Sequence, residues 1–391
     1  MPERTSTIRS PRVAFGDLVR LSRERSADPA TNGYERYVGL DHLDPGSLRI
    51  RRWGRVAEGT TFTTVFRSGQ TLFGKRRAYQ RKVAVADFDG VCSGDIYVLE
   101  AKDARLMPGL LPFICQTQGF FDHAIRTSAG SLSPRTNWES LATYEFALPP
   151  VDEQLRMVSL LRAIATAEDA CSELLATLDT ARVALVASKV GELGRLWPRK
   201  SLGDVAEVKY GFTLDASRRG GDNHVPYLRV ANVVRGDFDL REIKDVGSLP
   251  GDEEYQLQSG DILVVEGHAN PTEIGRAAVW SAQRPRMLHQ NHLIRVRCGD
   301  GELIPEFLAS VMNSSHGRAH FRSYAKSSSG LNTINSSVVK DYVIPVPSRE
   351  VQAEVVELVE LASGLTVATS TRRQGIVAMR ETLLRILGEA A

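Results

Sequence analysis

Basic side chains cluster around one tyrosine early in this chain, and this stretch is its clearest candidate for chemistry. The cluster consists of Lys75, Arg76, Arg77, Tyr79, Arg81 and Lys82. Arginine and lysine bind phosphate oxygens, and arginine also recognises guanine through a pair of hydrogen bonds. The cluster therefore predicts a loop that binds nucleic-acid phosphates, with a solvated turn as the alternative interpretation.

A second set of polar residues follows the apolar run at 262–265, in the other half of the chain. His268, Asn270 and Arg276 lie there, and we expect them to form a corresponding loop. Gln290 and Asn291 are of the types that read adenine edges. Since they precede a strand-like run, they equally suit the capping of buried backbone groups.

Two segments rich in serine and glycine, at 127–135 and 326–332, complete the candidates for nucleic-acid contact. The first contains Arg135, and the second contains Lys326, Ser328 and Asn332. Hydroxyl, amide and basic groups of this kind bind phosphates, but segments that follow helices often serve only as connectors.

These candidates recur because the chain contains an internal repeat. Each half opens on Gly-Asp, at residues 16 and 203, and closes on a hydrophobic-proline motif followed by a glutamine, Gln154 or Gln352. Matching motifs keep the same order, as with Tyr37 and Tyr227, which are 190 residues apart. Two tandem globular units suggest a ligand with two parts.

Composition is that of an ordinary globular protein with at least two domains. The chain has 391 residues, of which 42% are hydrophobic and 25% charged. No apolar run approaches the roughly 20 residues that span a bilayer, and the N-terminal segment lacks an apolar signal core, so we expect a cytoplasmic protein. The four cysteines lie far apart without histidines at ligand spacing, which favours buried thiols over a metal site.

Positive charge is concentrated in the first 150 residues, although the net charge of the chain is only +2. Residues 1–150 carry a net charge of +5 and 198–347 are neutral, whereas 151–197 and 348–391 carry −2 and −1. Acidic segments suit protein contacts better than phosphate contacts. The 40 arginines against 9 lysines fit nucleic-acid recognition and a GC-rich genome equally.

Two long stretches, 151–197 and the segment from Val351 onward, carry apolar residues mostly in steps of three and four. In the first they are Met157, Leu161, Ile164, Cys171, Leu175, Leu178 and Leu185. In the second they are Val355, Leu358, Ala362, Leu365, Ile376, Met379, Leu383 and Ile386. This spacing is typical of a coiled-coil seam, and two helices of about 60 Å would most simply bury their seams against each other. Two separate surface helices are the alternative interpretation.

The expected fold is α/β, with two mixed α/β domains separated by two long antiparallel coiled-coil helices in an internal pseudo-twofold repeat. The domains span 1–150 and 198–347, and the helices span 151–197 and 348–391. Strand-like runs lie at 61–66, 83–86, 96–99, 262–265 and 292–296. Short helices are expected at 108–119 and 305–313, each with proline in its first turn.

This layout resembles the DNA specificity subunits of type I restriction-modification systems. The similar motifs lie at 74–84, 89–93 and 148–150 in the first half, and at 259–263, 274–277, 289–295 and 345–347 in the second. Each motif is only a turn and a strand, but their order is kept in both halves and covers nearly the whole chain. One departure is Gly69-Gln70, where Gly260-Asp261 predicts Gly-Asp.

The resemblance implies a non-enzymatic adaptor that serves DNA methylation and defence against phage. In such subunits each target-recognition domain reads one half of a split double-stranded DNA target. The helices set the spacer and dock two methyltransferase subunits, and motor-nuclease subunits join the complex. S-adenosylmethionine, ATP and magnesium would belong to those partners. The candidate partner contacts on the helices are Leu161, Leu175, Leu178, Leu358, Leu365, Met379 and Leu383.

Two other functions stay open at this point. A stand-alone nuclease would use His289 and His292 with Asp261 or Glu266, and it would cut DNA in magnesium without partners. A coiled-coil scaffold for proteins alone would have no affinity for DNA, even with its partners present.

Overall fold

The computed structural model describes residues 11–219, 223–282, 284–299, 301–328 and 330–389, with the side chains of Val190, Arg219 and Ser328 outside the description. The chain forms two compact units. The first consists of Met1–Glu173 with Ser370–Ala391, and the second of Leu174–Thr369. Each unit therefore includes a globular head together with part of both long helices.

Short strands and helices build the head of the first unit. The strands are β1 Arg12–Ala14, β2 Val19–Leu21, β3 Arg36–Val38, β4 Gly54–Arg55, β5 Thr64–Phe66, β6 Thr71–Gly74, β7 Val83–Val85, β8 Gly90–Cys92, β9 Ile96–Ala101 and β10 Glu145–Ala147. The helices are α1 Phe15–Leu18, α2 Leu111–Ile114, α3 Gln118–Arg126 and α4 Trp138–Ala142, followed by the long helix α5 Val151–Leu196. The expected single helix at 108–119 is thus two shorter ones, because Thr117 caps a new helix by accepting a hydrogen bond from the Phe120 N–H.

Two four-stranded sheets form the body of this head, with strand orders β2-β9-β6-β7 and β4-β3-β8-β5. Neighbouring strands are antiparallel except β3 and β8, which run parallel with Tyr37 opposite Val91. Strand β10, at the end of this head, pairs with β1 at its beginning. Phe15, Phe73 and Phe120 pack together in the core beneath these sheets.

The second unit repeats this plan. Its strands are β11 Arg199–Ser201, β12 Ala206–Tyr210, β13 His224–Leu228, β14 Val233–Val234, β15 Asp237–Phe238, β16 Lys244–Gly247, β17 Ile262–Val265, β18 Gly267–His268, β19 Ala277–Val279, β20 Leu288–His289, β21 Leu293–Cys298, β22 Lys326–Ser328, β23 Leu331–Thr333 and β24 Val343–Pro345. Its helices are α6 Leu202–Val205, α7 Pro305–Asn313, α8 Ser315–Tyr324 and α9 Ser336–Lys340, followed by the long helix α10 Arg349–Glu389.

The sheet orders of the second head correspond to those of the first. The order β12-β21-β17-β19 matches β2-β9-β6-β7, and the pair β11 with β24 matches β1 with β10. Strands β13 and β20 run parallel, as β3 and β8 do in the first head, with Tyr227 opposite Leu288. The internal repeat and the mixed α/β fold expected from the sequence are therefore confirmed.

A buried glutamine fastens each head to the helix that follows it. The amide of Gln154 donates to the carbonyls of Arg105 and Pro149 and accepts from the Met107 N–H at 2.9 Å. Gln352 makes the same three bonds to Glu302, Pro347 and the Ile304 N–H. Both side chains are 0% exposed, which explains why a glutamine follows each proline motif.

The long helices contact each other within each unit. In the first unit Val158 and Leu161 of α5 share a core with Leu387 of α10, while Ser172, farther along α5, bonds to Arg373. Rising numbers on α5 meet falling numbers on α10, so the helices run antiparallel. In the second unit Val186 of α5 shares a core with Val355 of α10.

The seam expected on α10 is only partly correct. Leu358, Leu365, Met379 and Ile386 are exposed, with values from 38% to 55%. The buried or half-buried face instead runs in steps of seven through Gln352, Val359, Thr366, Arg373, Arg380 and Leu387. Helix α10 carries two stripes at heptad spacing, and the inward stripe is the more polar one, with contacts through Gln352, Arg373 and Arg380.

Three properties of the described residues concern metal ligands, membrane-spanning helices and the burial of cysteines. These residues contain no group of three or more histidine, cysteine or acidic side chains placed to hold a metal ion. In the same ranges, no helix has the length and apolarity needed to cross a bilayer. Cys92, Cys115 and Cys171 are buried and Cys298 is half-buried, and burial raises the pKa of Cys92 to about 12.

Candidate nucleic-acid interface

The basic cluster of the first unit forms a preformed turn between β6 and β7. Arg77 and Arg81 both adopt left-handed backbone conformations with φ of 53°, and they bracket a 3-10 turn at Ala78–Gln80. Ala78 points into the core, while Tyr79 is 55% exposed. Left-handed conformations are uncommon for residues other than glycine, and such strain concentrates at functional sites.

This turn is joined to the serine-containing loop at residues 127–135. The Arg77 N–H donates to the carbonyl of Pro134 at 2.7 Å, and the Thr136 N–H donates to the carbonyl of Lys75 at 3.1 Å. Arg76 and Arg135 form an antiparallel bridge. Two separately predicted candidates therefore lie on one surface.

Asp95 holds the arginines of that surface in place. Its carboxylate accepts from Arg135 Nε at 2.7 Å and from Arg76 Nη1 at 3.2 Å. Burial alone would raise the pKa of Asp95, but the two arginines outweigh it and keep that pKa below its usual value. Arg76 and Arg77 also donate to the Ser133 hydroxyl, so both are partly committed to the loop itself.

The remaining basic residues of the cluster differ in availability. Lys82 Nζ donates to the carbonyl of Leu40 at 2.6 Å, and Arg81 donates to the side chain of Gln118 and stacks on a phenylalanine ring. Lys75 Nζ lies 4.7 Å from the ring centre of Tyr97. These contacts position the turn and leave Lys75 at the edge of a groove.

That groove contains two arginines that the sequence interpretation missed. It has a volume of about 320 Å³, and its lining includes Arg23, Arg25, Lys75 and Tyr97. Arg23 and Arg25 are exposed. Their spacing of two was the available signal, because alternate residues of an extended segment face the same side.

The second unit joins its two predicted loops in a corresponding way. Strand β18 pairs with β23, placing His268 opposite Asn332, and β23 pairs with β22, placing Lys326 opposite Thr333. Asn332 Nδ2 donates to the Ala269 carbonyl at 3.1 Å. Lys326 is exposed, and the side chain of the predicted residue Ser328 lies outside the described residues.

Asn270 and Arg276 shape this second loop from within. Asn270 Oδ1 accepts from the Thr272 N–H at 3.0 Å and so caps the 3-10 turn Pro271–Glu273. Arg276 is only 9% exposed and donates to the carbonyls of Val233 at 2.8 Å and Val230 at 3.0 Å. The prediction of a DNA contact for Arg276 is therefore corrected, because its guanidinium is engaged inside the head.

Gln290 and Asn291 are half-buried at the approach to β21. The Gln290 N–H donates to the Leu228 carbonyl at 3.0 Å, and the Asn291 N–H donates to the Phe212 carbonyl at 2.8 Å. Next to them, His292 Nδ1 lies 2.7 Å from Glu266 Oε2. This contact connects the segment to the residues just before β18.

Two of the four residues considered for a nuclease, Asp261 and His289, are engaged inside the fold. Asp261 is 1% exposed and accepts from Arg297 Nε at 2.6 Å and Nη2 at 2.7 Å. His289 is 0% exposed, and burial lowers its pKa to about 4. Neither side chain reaches a surface on which it could meet a phosphodiester.

The leucines and the methionine predicted to contact partners fall into three groups. Leu161 is 0% exposed in the core of the first unit, so the prediction that it contacts a partner is wrong. Leu358, Leu365 and Met379 are exposed at 38%, 51% and 55%. Leu361, which was not predicted, is 64% exposed and lies on the same helix face as Leu358 and Leu365. Half-buried positions make up the third group, which is Leu175, Leu178 and Leu383.

Comparisons with known proteins match both sequence and fold. Residues 195–372 match the family model of the type I restriction modification DNA specificity domain. The EcoDI specificity subunit, from a type I restriction enzyme of Escherichia coli, is 30% identical over 176 residues, 41% of this chain and 38% of that protein. The StySPI specificity subunit of Salmonella potsdam is 28% identical over 148 residues, 37% of this chain and 32% of that protein. The chain thus spans less than half the length of these curated relatives.

Two solved structures share the fold over nearly the full chain. The S subunit of a type I restriction-modification system from M. genitalium matches with a TM-score of 0.59 at 14% identity, covering 99% of this chain and 98% of that chain. A chain from a structural study of complex assembly and conformational transition in the type I R-M system matches with a TM-score of 0.60 at 20% identity, covering 99% of both chains.

Proposed function

We propose that this chain, which belongs to the family of type I restriction-modification DNA specificity subunits, is the non-catalytic DNA-reading subunit of a methyltransferase complex. Each head binds one half of a split double-stranded DNA target. One observation carries the proposal. In both heads the segment that follows an inner strand, β6 or β17, pairs with a second segment near the end of that head, as Arg76 does with Arg135 and His268 with Asn332. A twice-repeated polar surface suits a target with two different halves.

The two surfaces differ in charge, which supports different readout. The first unit offers Arg23, Arg25 and Lys75 along a groove, whereas the paired loops of the second offer amides, a histidine and the exposed Lys326. The first surface suits contact with the phosphate backbone together with guanine edges. In the second, His268 and Asn332 suit base edges, with fewer phosphate contacts.

The long helices provide the surface for two methyltransferase subunits and set the spacer between the half-sites. The exposed apolar side chains of Leu358, Leu361 and Leu365 support this part of the proposal, since such a stripe is typical of a protein contact. S-adenosylmethionine, ATP and magnesium are assigned to the methyltransferase and motor-nuclease partners.

Methylome sequencing tests the proposal directly. Cells that express the chain with its partner methyltransferase should methylate one motif consisting of two defined parts and an undefined gap of fixed length. Cells that express the methyltransferase alone should lack that mark. A complex that forms but has no DNA affinity would support the protein-only scaffold, and DNA cleavage by the purified chain in magnesium would support the nuclease.

A further inference from the structure

An ionic cluster occupies the helix contact of the first unit, where a coiled-coil seam is normally apolar. Glu168 of α5 lies between Arg373 and Arg380 of α10. Its Oε2 is 2.8 Å from Arg380 Nη1, and its Oε1 is 3.7 Å from Arg373 Nη2. The Glu168 side chain is 14% exposed, so its charge is largely removed from water and depends on these partners.

Both arginines are also held by groups at fixed positions. Arg373 Nε donates to the Ser172 hydroxyl at 2.9 Å, one turn beyond Glu168 on α5. Arg380 Nη1 donates to the carbonyl of Gly46 at 2.7 Å. Glu168 Oε2 has no aligned hydrogen-bond donor, so its short contact with Arg380 is an ion pair. The cluster thus has a defined geometry along both helix axes.

The helix contact in the second unit has a different character. There Val183 and Val186 face Val356 and Val359 around a cavity of about 390 Å³. Because apolar contacts have little directionality, we expect these valines to fix the axial alignment less strictly than an ionic cluster does.

The internal repeat allows the two helix contacts to be compared position by position. The offset of 198 that relates Gln154 to Gln352 relates Arg182 to Arg380, but it places Thr366 at the position that corresponds to Glu168. Arg182 instead pairs with Asp179 on its own helix, at 3.2 Å. Of these two equivalent places, only that in the first unit has the carboxylate.

We propose that Glu168, Arg373 and Arg380 form a register pin that fixes the axial alignment of α5 against α10. Resting on the proposed function, we infer that the pin thereby fixes the length of the gap between the two half-sites. A slide of one heptad, about 10 Å, would place Thr366 or Leu387 where one of the arginines now lies. The carboxylate would then be buried with one partner instead of two. Polar residues in a seam are known to select one register in this way.

A distance measurement tests the pin without any DNA. Spin labels are attached through p-acetylphenylalanine at Ala163 and Glu381, two exposed positions in the first unit, so that the native cysteines stay intact. The full-length chain should give one narrow distance. The variant Glu168→Leu/Arg373→Leu/Arg380→Leu should fold, since apolar replacement of a whole buried ion cluster is often neutral for stability, and thermal melting checks this.

The distance in this triple variant shows whether the ionic cluster fixes the register of the two helices. If the cluster is the pin, the variant gains a second, longer distance because slid registers become populated. The control Glu153→Leu/Arg156→Leu/Arg372→Leu, which changes exposed residues of the same types, should keep the single distance. A folded triple variant that also keeps the single distance overturns the proposal.

Gap selectivity tests the functional half of the inference. In complex with the partner methyltransferase, the wild-type chain should prefer one gap by more than about 10-fold over duplexes whose gap differs by about three base pairs, the length of one heptad. The triple variant should lower this preference to below about 3-fold. Two distances with an unchanged gap preference would contradict the link to the spacer. Failure of the wild-type complex to bind DNA would instead reject the proposed function, while the distance measurement still decides the pin.

Discussion

At the scale of single residues, arginine serves three distinct purposes in this protein. Arg276 and Arg295 are buried and donate to backbone carbonyls. Arg76 and Arg135 share the carboxylate of Asp95 and fix a loop. Arg23 is exposed at the edge of a groove. Only arginines of the last kind keep a whole guanidinium for a ligand, so a count of arginines overstates the DNA-binding surface.

Neutralising the groove should change the salt dependence of DNA binding. The variant Arg23→Gln/Arg25→Gln/Lys75→Gln should bind every sequence more weakly, and the slope of log K against log salt should fall by about 0.9 for each DNA phosphate that the variant no longer neutralises. Fluorescence anisotropy with the reconstituted complex at several salt concentrations measures this slope.

The matched control for this experiment replaces three exposed basic residues elsewhere in the first unit, Arg12, Lys102 and Arg105, by glutamine. This control should leave the slope unchanged. Equal slopes for the groove variant and the wild-type complex would remove the groove from the interface.

Protonation of His289 should destabilise the fold in acid. Burial lowers its pKa from 6.5 to about 4, so between these values the unfolded chain binds more protons than the folded one. The contribution of His289 to the free energy of unfolding is fully present above pH 6.5. As the pH falls to 4, this contribution is lost, and the free energy of unfolding decreases by on the order of 3 kcal/mol. Urea unfolding of His289→Gln should show a smaller loss over this window than wild type. The exposed His224→Gln should behave like wild type, and a similar loss in all three proteins would contradict the assignment.

The sequence predicted which residue types form the candidate interface better than it predicted where their side chains point. The basic cluster and the serine-containing loop could each be recognised, because basic residues around a tyrosine are a local signal. The hydrogen bond that joins them, from the Arg77 N–H to the Pro134 carbonyl, could not be predicted, because it links segments that are distant in sequence. Arg276 was misjudged because its orientation depends on the carbonyls of Val230 and Val233, which no local pattern places beside it.

At the scale of elements, the junction between head and helix is the most closely repeated feature. Gln154 and Gln352 make equivalent sets of three hydrogen bonds. Each ties together the segment before a head helix, the proline motif and the first turn of a long helix. Each head is therefore tied to the start of its long helix by one buried amide.

Replacing Gln154 by leucine should lower stability without changing the surface. The change removes three hydrogen bonds and leaves the Met107 N–H without its partner, which should cost about 2–4 kcal/mol. Denaturant unfolding measures the loss, and Gln352→Leu should give a similar value in the second unit. The exposed Gln374→Leu should change stability by less than about 0.5 kcal/mol, and a loss as small in Gln154→Leu would show that the junction is held by other contacts.

Helix length was predictable from the absence of proline, but the inward face of α10 was not. Heptad spacing was present in two stripes, and the more apolar stripe, with Leu358 and Leu365, proved to be exposed. The inward stripe contains Arg373 and Arg380, whose partners Ser172 and Gly46 are far away in sequence. Hydrophobicity alone locates this face only in part, since Val355 is buried and Leu383 half-buried whereas Leu358 and Leu365 are exposed.

At the scale of the whole molecule, one plan is used twice with different chemistry on its surface. The sheet orders and the glutamine junctions repeat, whereas the charge differs, at +5 for residues 1–150 and zero for 198–347. A shared architecture with divergent loops is the arrangement expected when two heads read different sequences. Each head should then keep its specificity when its neighbour changes.

Exchange of one head tests this independence most directly. Residues 1–150 are replaced by the equivalent head of a relative whose methylated motif has been determined, keeping Gln154 and the whole of α5. The chimera is expressed with the partner methyltransferase, and the methylome is sequenced. One half of the methylated motif should change to that of the donor, while the other half and the gap stay as in wild type. A motif in which both halves change, or in which neither changes, would contradict independent reading by two heads.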